Sequence, residues 1–157
     1  MALRIRPMQP DDVDDVFNIE MAAHRAPWSR DILRDCVLVN YDCRILEVYN
    51  DIGCILASYI ICRYDENRCH VLNLCVAPSM QGNGYGQLLL QNVIESQQVT
   101  AVHTIILEVR PSNLAAMRLY QKMGFLQTGI KAGYYRDDLG VEDAVVLQKK
   151  LRSPFKS

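Results

Sequence analysis

Apolar and polar residues alternate along residues 2–7 (ALRIRP), the period of a strand at a sheet edge. After Pro10 the period changes. Val13, Val16, Phe17 and the Glu20–Met21 pair recur at helical spacing. Pro10 opens that segment, and Asp11 and Asp12 in its first turn oppose the positive end of the helix dipole. Pro27 breaks it, and Ser29 is placed to cap a second helix over about residues 30–39. Three β-rich runs follow, 43–49, 54–64 and 68–76, separated by Asn50-Asp51-Ile52-Gly53 and Asp65-Glu66-Asn67. Such short turns predict antiparallel neighbours. Pro78 closes this meander.

Beyond a glycine-rich stretch at 81–86, Leu88, Leu89, Val93 and Ile94 predict a helix over 87–98. A strand is predicted at 103–109. A helix over 113–123 follows, capped by Asn113 or Ser112 and stopped by Gly124. Strands at about 125–131 and 142–150 finish the chain. A helix joins the runs 68–76 and 103–109, so these two strands are expected to be parallel. The pattern predicts an α+β fold: a mixed, mostly antiparallel sheet of about seven strands with a parallel central pair, flanked by about four helices. Residues 1–151 read as one domain and 152–157 as a short C-terminal tail.

Composition narrows the class. Half of the 157 residues are apolar and 22% are charged, which suits one globular domain with a buried core. The net charge of −1 disfavours direct nucleic-acid binding, which leans on basic residues facing phosphates. No apolar run is long enough to span a membrane, and MALRIRPMQPDD carries no apolar signal segment, so a cytoplasmic protein is expected. The six cysteines (36, 43, 54, 62, 69 and 75) show no CxxC spacing, and the histidines at 24, 70 and 103 do not cluster with them. No metal is expected. Buried thiols are the reading for several of them; Cys62 and Cys69 flank a turn, so a disulfide there is the alternative.

The glycine stretch carries the chemistry. Backbone amides at a helix N-terminus attract anions, and glycines let the main chain approach them closely. A Rossmann fingerprint starting at Gly82 needs glycine where Gln87 stands, and a Walker A loop needs Gly-Lys-Ser/Thr, which is absent. A tight turn that needs glycine only for its geometry is the alternative. Gln81-Gly82-Asn83-Gly84-Tyr85-Gly86, however, matches Q/R-x-x-G-x-G/A. That motif binds the pyrophosphate of coenzyme A in the GCN5-related N-acetyltransferase (GNAT) superfamily, which the chain resembles over nearly its whole length. The preceding strand, Asn73-Leu74-Cys75-Val76-Ala77-Pro78, is similar as well. Residues 22–29 (AAHRAPWS), 107–120 (LEVRPSNLAAMRLY) and 134–146 (YYRDDLGVEDAVV) narrow the likeness to the bacterial ribosomal-protein alanine N-acetyltransferases. Pro111 departs mildly from that family's small residue, at a place where proline is tolerated before a helix.

The resemblance implies acetyl transfer from acetyl-CoA, with no metal, to the N-terminal alanine of a small-subunit ribosomal protein. It also implies that the parallel strands splay around the cofactor's pantetheine arm. Leu74, Cys75 and Val76 would bind that arm through their main chain. Gln81, Gly82, Asn83, Gly84, Tyr85, Gly86 and Gln87 would hold the pyrophosphate, and Asn113 would touch the cofactor. Direct transfer in a ternary complex is expected; an acetylated Cys75 is the alternative. Glu108 is a charge near the end of an apolar strand (TIILEV), which alone reads as a solvent-facing residue paired with Arg110. The family likeness makes it the general base. Tyr120, two helical turns from Asn113, becomes the proton donor to the departing thiolate. Trp28, Tyr41, Tyr134 and Tyr135 are aromatic candidates for the acceptor channel. Asp137, Asp138 and Glu142 are candidates for attracting a basic peptide, with a solvated turn as the alternative. A small amine or a lysine side chain as acceptor, and a noncatalytic acyl-CoA-binding module, are the competing functions.

Overall fold

In a computed structural model of the chain, residues 2–97 and 100–151 are described. The 152–157 tail and the end of the helix predicted over 87–98 lie outside them. Seven strands form one sheet: β1 (Ala2–Pro7), β2 (Asp42–Asn50), β3 (Gly53–Asp65), β4 (Arg68–Val76), β5 (Thr104–Val109), β6 (Leu126–Asp137) and β7 (Gly140–Lys150). Their order is β1-β2-β3-β4-β5-β7-β6. Only β4 and β5 are parallel among the registers described, and β1–β2, β2–β3, β5–β7 and β6–β7 are antiparallel. Four helices accompany them, α1 (Val13–Ala23), α2 (Arg30–Leu38), α3 (Tyr85–Ser96) and α4 (Leu114–Lys122). The α+β architecture predicted by the pattern is therefore the architecture found.

The chain divides into two compact units, one of residues up to Arg63 with Asn73–Glu95, the other of Tyr64–Leu72 with the residues from Ser96 onward. In the first, Leu33, Ile45, Leu46, Tyr59, Ile60, Leu89 and Leu90 are fully buried. Each such side chain contributes roughly 1.5–3 kcal/mol by leaving water. Ser29 caps α2 as its sequence position predicts, its Oγ accepting from Ile32 N at 3.2 Å. Pro10–Asp12 forms one 3₁₀ turn that runs into α1. Asp12 does more there than face a dipole: both its oxygens accept from Arg6 at 2.8 Å, and Oδ2 also accepts from Gln9 N at 2.7 Å.

The least expected core residue is Glu20, 1% exposed. Its carboxyl accepts from Tyr59 Oη at 2.5 Å, Asn73 Nδ2 at 2.8 Å and Trp28 N at 2.9 Å. One acidic side chain thus joins α1, β3, β4 and the segment before α2. A buried polar group is tolerated only when its hydrogen bonds are made.

In the second unit Ile105 and Leu107 of β5 and Ala144–Leu147 of β7 are buried. Two expectations change. The helix predicted from 87 starts at Tyr85, because Gly84 O already accepts from Leu88 N at 3.0 Å. The last hairpin is longer than predicted: β6 runs to Asp137 and β7 begins at Gly140, so 132–137 is strand rather than loop. A register shift between Lys131 and Tyr135, with Gly133 at φ +59°, breaks the alternation that would have revealed it. Cys62 and Cys69 follow the buried-thiol reading rather than the disulfide alternative. All six cysteines are thiols, and Cys62 and Cys69 are both fully buried among strand residues, an interior that favours the neutral thiol. Cys54 alone is exposed, and its Sγ donates to Glu47 Oε2 at 2.8 Å.

Among the described residues, no helix is long and apolar enough to cross a membrane, and no group of three or more His, Cys, Asp or Glu is placed to hold a metal ion. Replacing Glu20 with alanine orphans two buried donors, Tyr59 Oη and Asn73 Nδ2, and the half-buried Trp28 main-chain N–H. The expected loss is about 3 kcal/mol of folding stability, read as a lower chemical-denaturation midpoint. Glu20→Gln, which keeps a carbonyl acceptor, should lose less.

Candidate active site

The β4–β5 ladder runs from Arg68↔Thr104 to Val71↔Leu107, so His70 stands opposite Ile106. Side chains on a strand alternate faces, so Glu108 shares the face of Ile106, one pleat along. His70 Nε2 accordingly lies 2.6 Å from Glu108 Oε2. From the other side Lys131 Nζ on β6 donates to Glu108 Oε1 at 2.6 Å. Val146 of β7 lies between the two strands, paired with both Glu108 and Gly129. The Glu108 side chain is only 6% exposed. The His70 hydrogen bond, with that of Lys131, outweighs burial and holds the carboxyl down at about 2. In return Glu108 pushes the Lys131 ammonium above its ordinary value.

Glu108 is therefore not the partner of Arg110. Arg110 reaches Glu142 at 3.2 Å and Asp137 at 3.3 Å, and its guanidinium lies 4.3 Å from the centre of the Tyr135 ring. Glu142 also accepts from Ser112 N and Ser112 Oγ, both at 2.9 Å. Two of the three acidic residues proposed to draw in a peptide are thus engaged with Arg110, and they tie the segment before α4 to the β6–β7 hairpin. Tyr134 packs edge-on against Tyr135, with ring centres 4.9 Å apart. Asn113 is the cap of α4, its Oδ1 accepting from Ala116 N at 3.2 Å. Tyr120 is buried on α4, its ring 5.6 Å from that of Phe125.

The remaining candidates belong to the other unit. Leu74 and Val76 are half-buried, while Cys75 between them faces the interior. Burial pushes the Cys75 thiol up to about 11. It is protonated at neutral pH and a poor nucleophile. Gln81 to Gly84 form an exposed turn, and Tyr85, Gly86 and Gln87 are the first residues of α3. Gly82 and Gly84 take φ of +86° and +80°, which L side chains rarely adopt, and an added Cβ would meet nothing within 4 Å. Backbone conformation, not crowding by the protein, is what demands glycine there. An exposed run of main chain opening onto a helix N-terminus suits a diphosphate. Asn83 Nδ2 donates to Met80 O at 2.9 Å within the turn.

Trp28 is held through its N–H to Glu20. Tyr41 lines a surface cleft of about 340 Å³ with Met8, Leu38, Asp42 and Cys43. Sequence reasoning missed Lys131, which no local pattern marks, and His70. The signal for His70 was parity: a parallel pair aligned near 70 and 106 puts positions 70 and 108 on one face.

Glu108 can receive a proton but is weak at rest. A protein α-ammonium has a pKa near 7.7–8.0. Transfer from such a group to a carboxyl held near 2 is strongly uphill, so Glu108 would serve as a base only after losing at least one of its two partners. In His70→Ala the Glu108 carboxyl should titrate higher, toward the ordinary carboxylate range, as read by NMR titration of the carboxyl carbon. The stability that the depression supplies is present above about 4.3 and is lost as pH falls toward 2, so this variant should be less sensitive over that window.

Comparison with known proteins gives one family. Residues 13–125 match the model of the "Acetyltransferase (GNAT) family". The chain is 35% identical over 145 residues to the ribosomal protein bS18 alanine N-acetyltransferase of Haemophilus ducreyi, covering 91% of this chain and 97% of that protein. Its fold is similar to the crystal structure of the ribosomal-protein-S18-alanine N-acetyltransferase from Escherichia coli, with a TM-score of 0.86, 28% identity and 99% of each chain covered. It is also similar in fold to Arabidopsis thaliana NAA60 in complex with acetyl-CoA, at a TM-score of 0.83 and 16% identity, covering 95% of this chain and 98% of that one.

Proposed function

The chain belongs to the GNAT family of acetyltransferases, and from that premise we propose that it acetylates the N-terminal alanine of ribosomal protein bS18. The donor is acetyl-CoA, which supplies an acetyl thioester. The cytoplasm, where ribosomal proteins are made, is the matching compartment. One observation carries the reading: a nearly buried carboxylate, Glu108, ionised at neutral pH and hydrogen-bonded by two exchangeable neighbours. The relatives' names supply the acceptor.

In this reading Gln81 to Gln87 hold the diphosphate through main-chain amides and the start of α3. The main chain of Leu74, Cys75 and Val76 binds the pantetheine arm, and Asn113 contacts the cofactor from the start of α4. Glu108 accepts a proton from the acceptor ammonium once the amine has displaced Lys131. His70, still 2.6 Å away, keeps the carboxyl in place. Tyr120 donates to the leaving sulfur. A protonated, buried Cys75 supports direct transfer over an acetylated thiol.

Incubation of the protein with acetyl-CoA and an Ala-initiated peptide should release free thiol and add one acetyl group to the α-nitrogen, located by tandem mass spectrometry. Thiol release with no acetylated peptide would refute the assignment. Glu108→Gln should lower kcat by about 10²- to 10⁴-fold while cofactor binding is retained. Cys75→Ala should keep turnover. Gly84→Ala, strained at φ +80°, should raise the KM for acetyl-CoA about tenfold or more.

A further inference from the structure

We propose that Lys131 is a self-acetylation site, its ε-amine taking the acetyl group from acetyl-CoA when no acceptor peptide is present. This rests on the reading of Glu108 as the general base. A base must lie within hydrogen-bond reach of the proton it removes, about 2.6–3.2 Å. Lys131 Nζ meets that condition at 2.6 Å from Glu108 Oε1. Its ammonium sits where an acceptor α-ammonium has to sit to use the same oxygen. Nothing else about it is locked away. The side chain is 48% exposed, and Nζ lies 5.3 Å from the centre of the Tyr134 ring. The lysines at 122, 149 and 150 are placed differently. Lys149 Nζ donates to Met123 O at 2.7 Å, Lys122 ends α4, and Lys150 ends β7.

The step balances without a further reactant. One ammonium proton passes to Glu108 once the His70 contact has opened, and from there to water. The Nζ–C bond forms as the C–S bond of the thioester breaks. A second proton from the nitrogen ends on the departing sulfur. The products are a neutral amide on Lys131, coenzyme A thiol and one proton. The modification deletes one of the two groups that hold Glu108 ionised and leaves His70 in place.

Uncatalysed acetylation would choose other lysines. It needs a deprotonated amine, and Glu108 holds the Lys131 proton more tightly than usual. The exposed Lys122 and Lys150 are the sites that solution chemistry would favour over it.

The test uses the full chain with ¹³C-acetyl-CoA, followed by digestion and tandem mass spectrometry, with Ala-peptide acetylation measured in parallel. The expected result is Lys131 labelled at least tenfold faster than Lys122 and Lys150. The label should fall to their level in Glu108→Gln, and Lys131→Arg should carry none at that position. A second measurement needs no variant: saturating Ala-initiated peptide should suppress the Lys131 label in the unmodified protein, since both amines use one oxygen. Lys131 labelling no faster than Lys122 while the peptide is acetylated would overturn the proposal and leave the proposed function standing. So would undiminished labelling in Glu108→Gln or in the presence of the peptide. If neither peptide nor Lys131 is acetylated, the assignment of Glu108 as base falls and this proposal with it.

Discussion

Four residue pairs of parallel ladder, Arg68↔Thr104 to Val71↔Leu107, decide what Glu108 can be. They fix which positions of β4 and β5 face the same way. With His70 opposite Ile106, the carboxylate one pleat further along cannot avoid the imidazole. A slip of one residue would turn His70 to the opposite face and leave Glu108 with Lys131 alone. The charge of this carboxylate is thus a property of strand register as much as of residue type.

The glycine turn is governed by a different constraint. Gly82 and Gly84 occupy backbone conformations that other residues resist, yet no protein atom crowds them. The fold itself gains nothing there that a two-glycine turn elsewhere would not give. What the turn offers is exposed main chain ahead of a helix whose inner face, Leu89, Leu90 and Val93, is fully buried and so fixed in place. Affinity for an anion can then come from peptide groups that need no reorganisation.

Most of the fold was legible because periodicity reports burial, and burial is what the elements share. The meander, the parallel pair and the capped helices at Ser29 and Asn113 all follow from local pattern. What stayed hidden was set by tertiary partners. Glu20 fell on the buried stripe of its helix by spacing, but its acceptor role needs Tyr59 and Asn73 from distant strands. The extension of β6 was masked by the bulge at Gly133. Among the candidate residues, Gln81 to Gly86 and Glu108 were readable as motif residues. Lys131 was not, because it reaches Glu108 from two strands away in the sheet. Arg110, two residues on from Glu108, looked like its natural partner and instead serves the hairpin acids.

The six cysteines carry a consequence for how the protein meets oxidants. Five are buried, and the exposed one, Cys54, shares its proton with Glu47, which makes its anion harder to form. Desolvation lifts Cys36 as well, Cys43 to about 12 and Cys75 to about 11. Peroxides and electrophiles attack the sulfur anion. At Cys36, Cys43, Cys54 and Cys75 the protein environment thus works against the very species that oxidants consume.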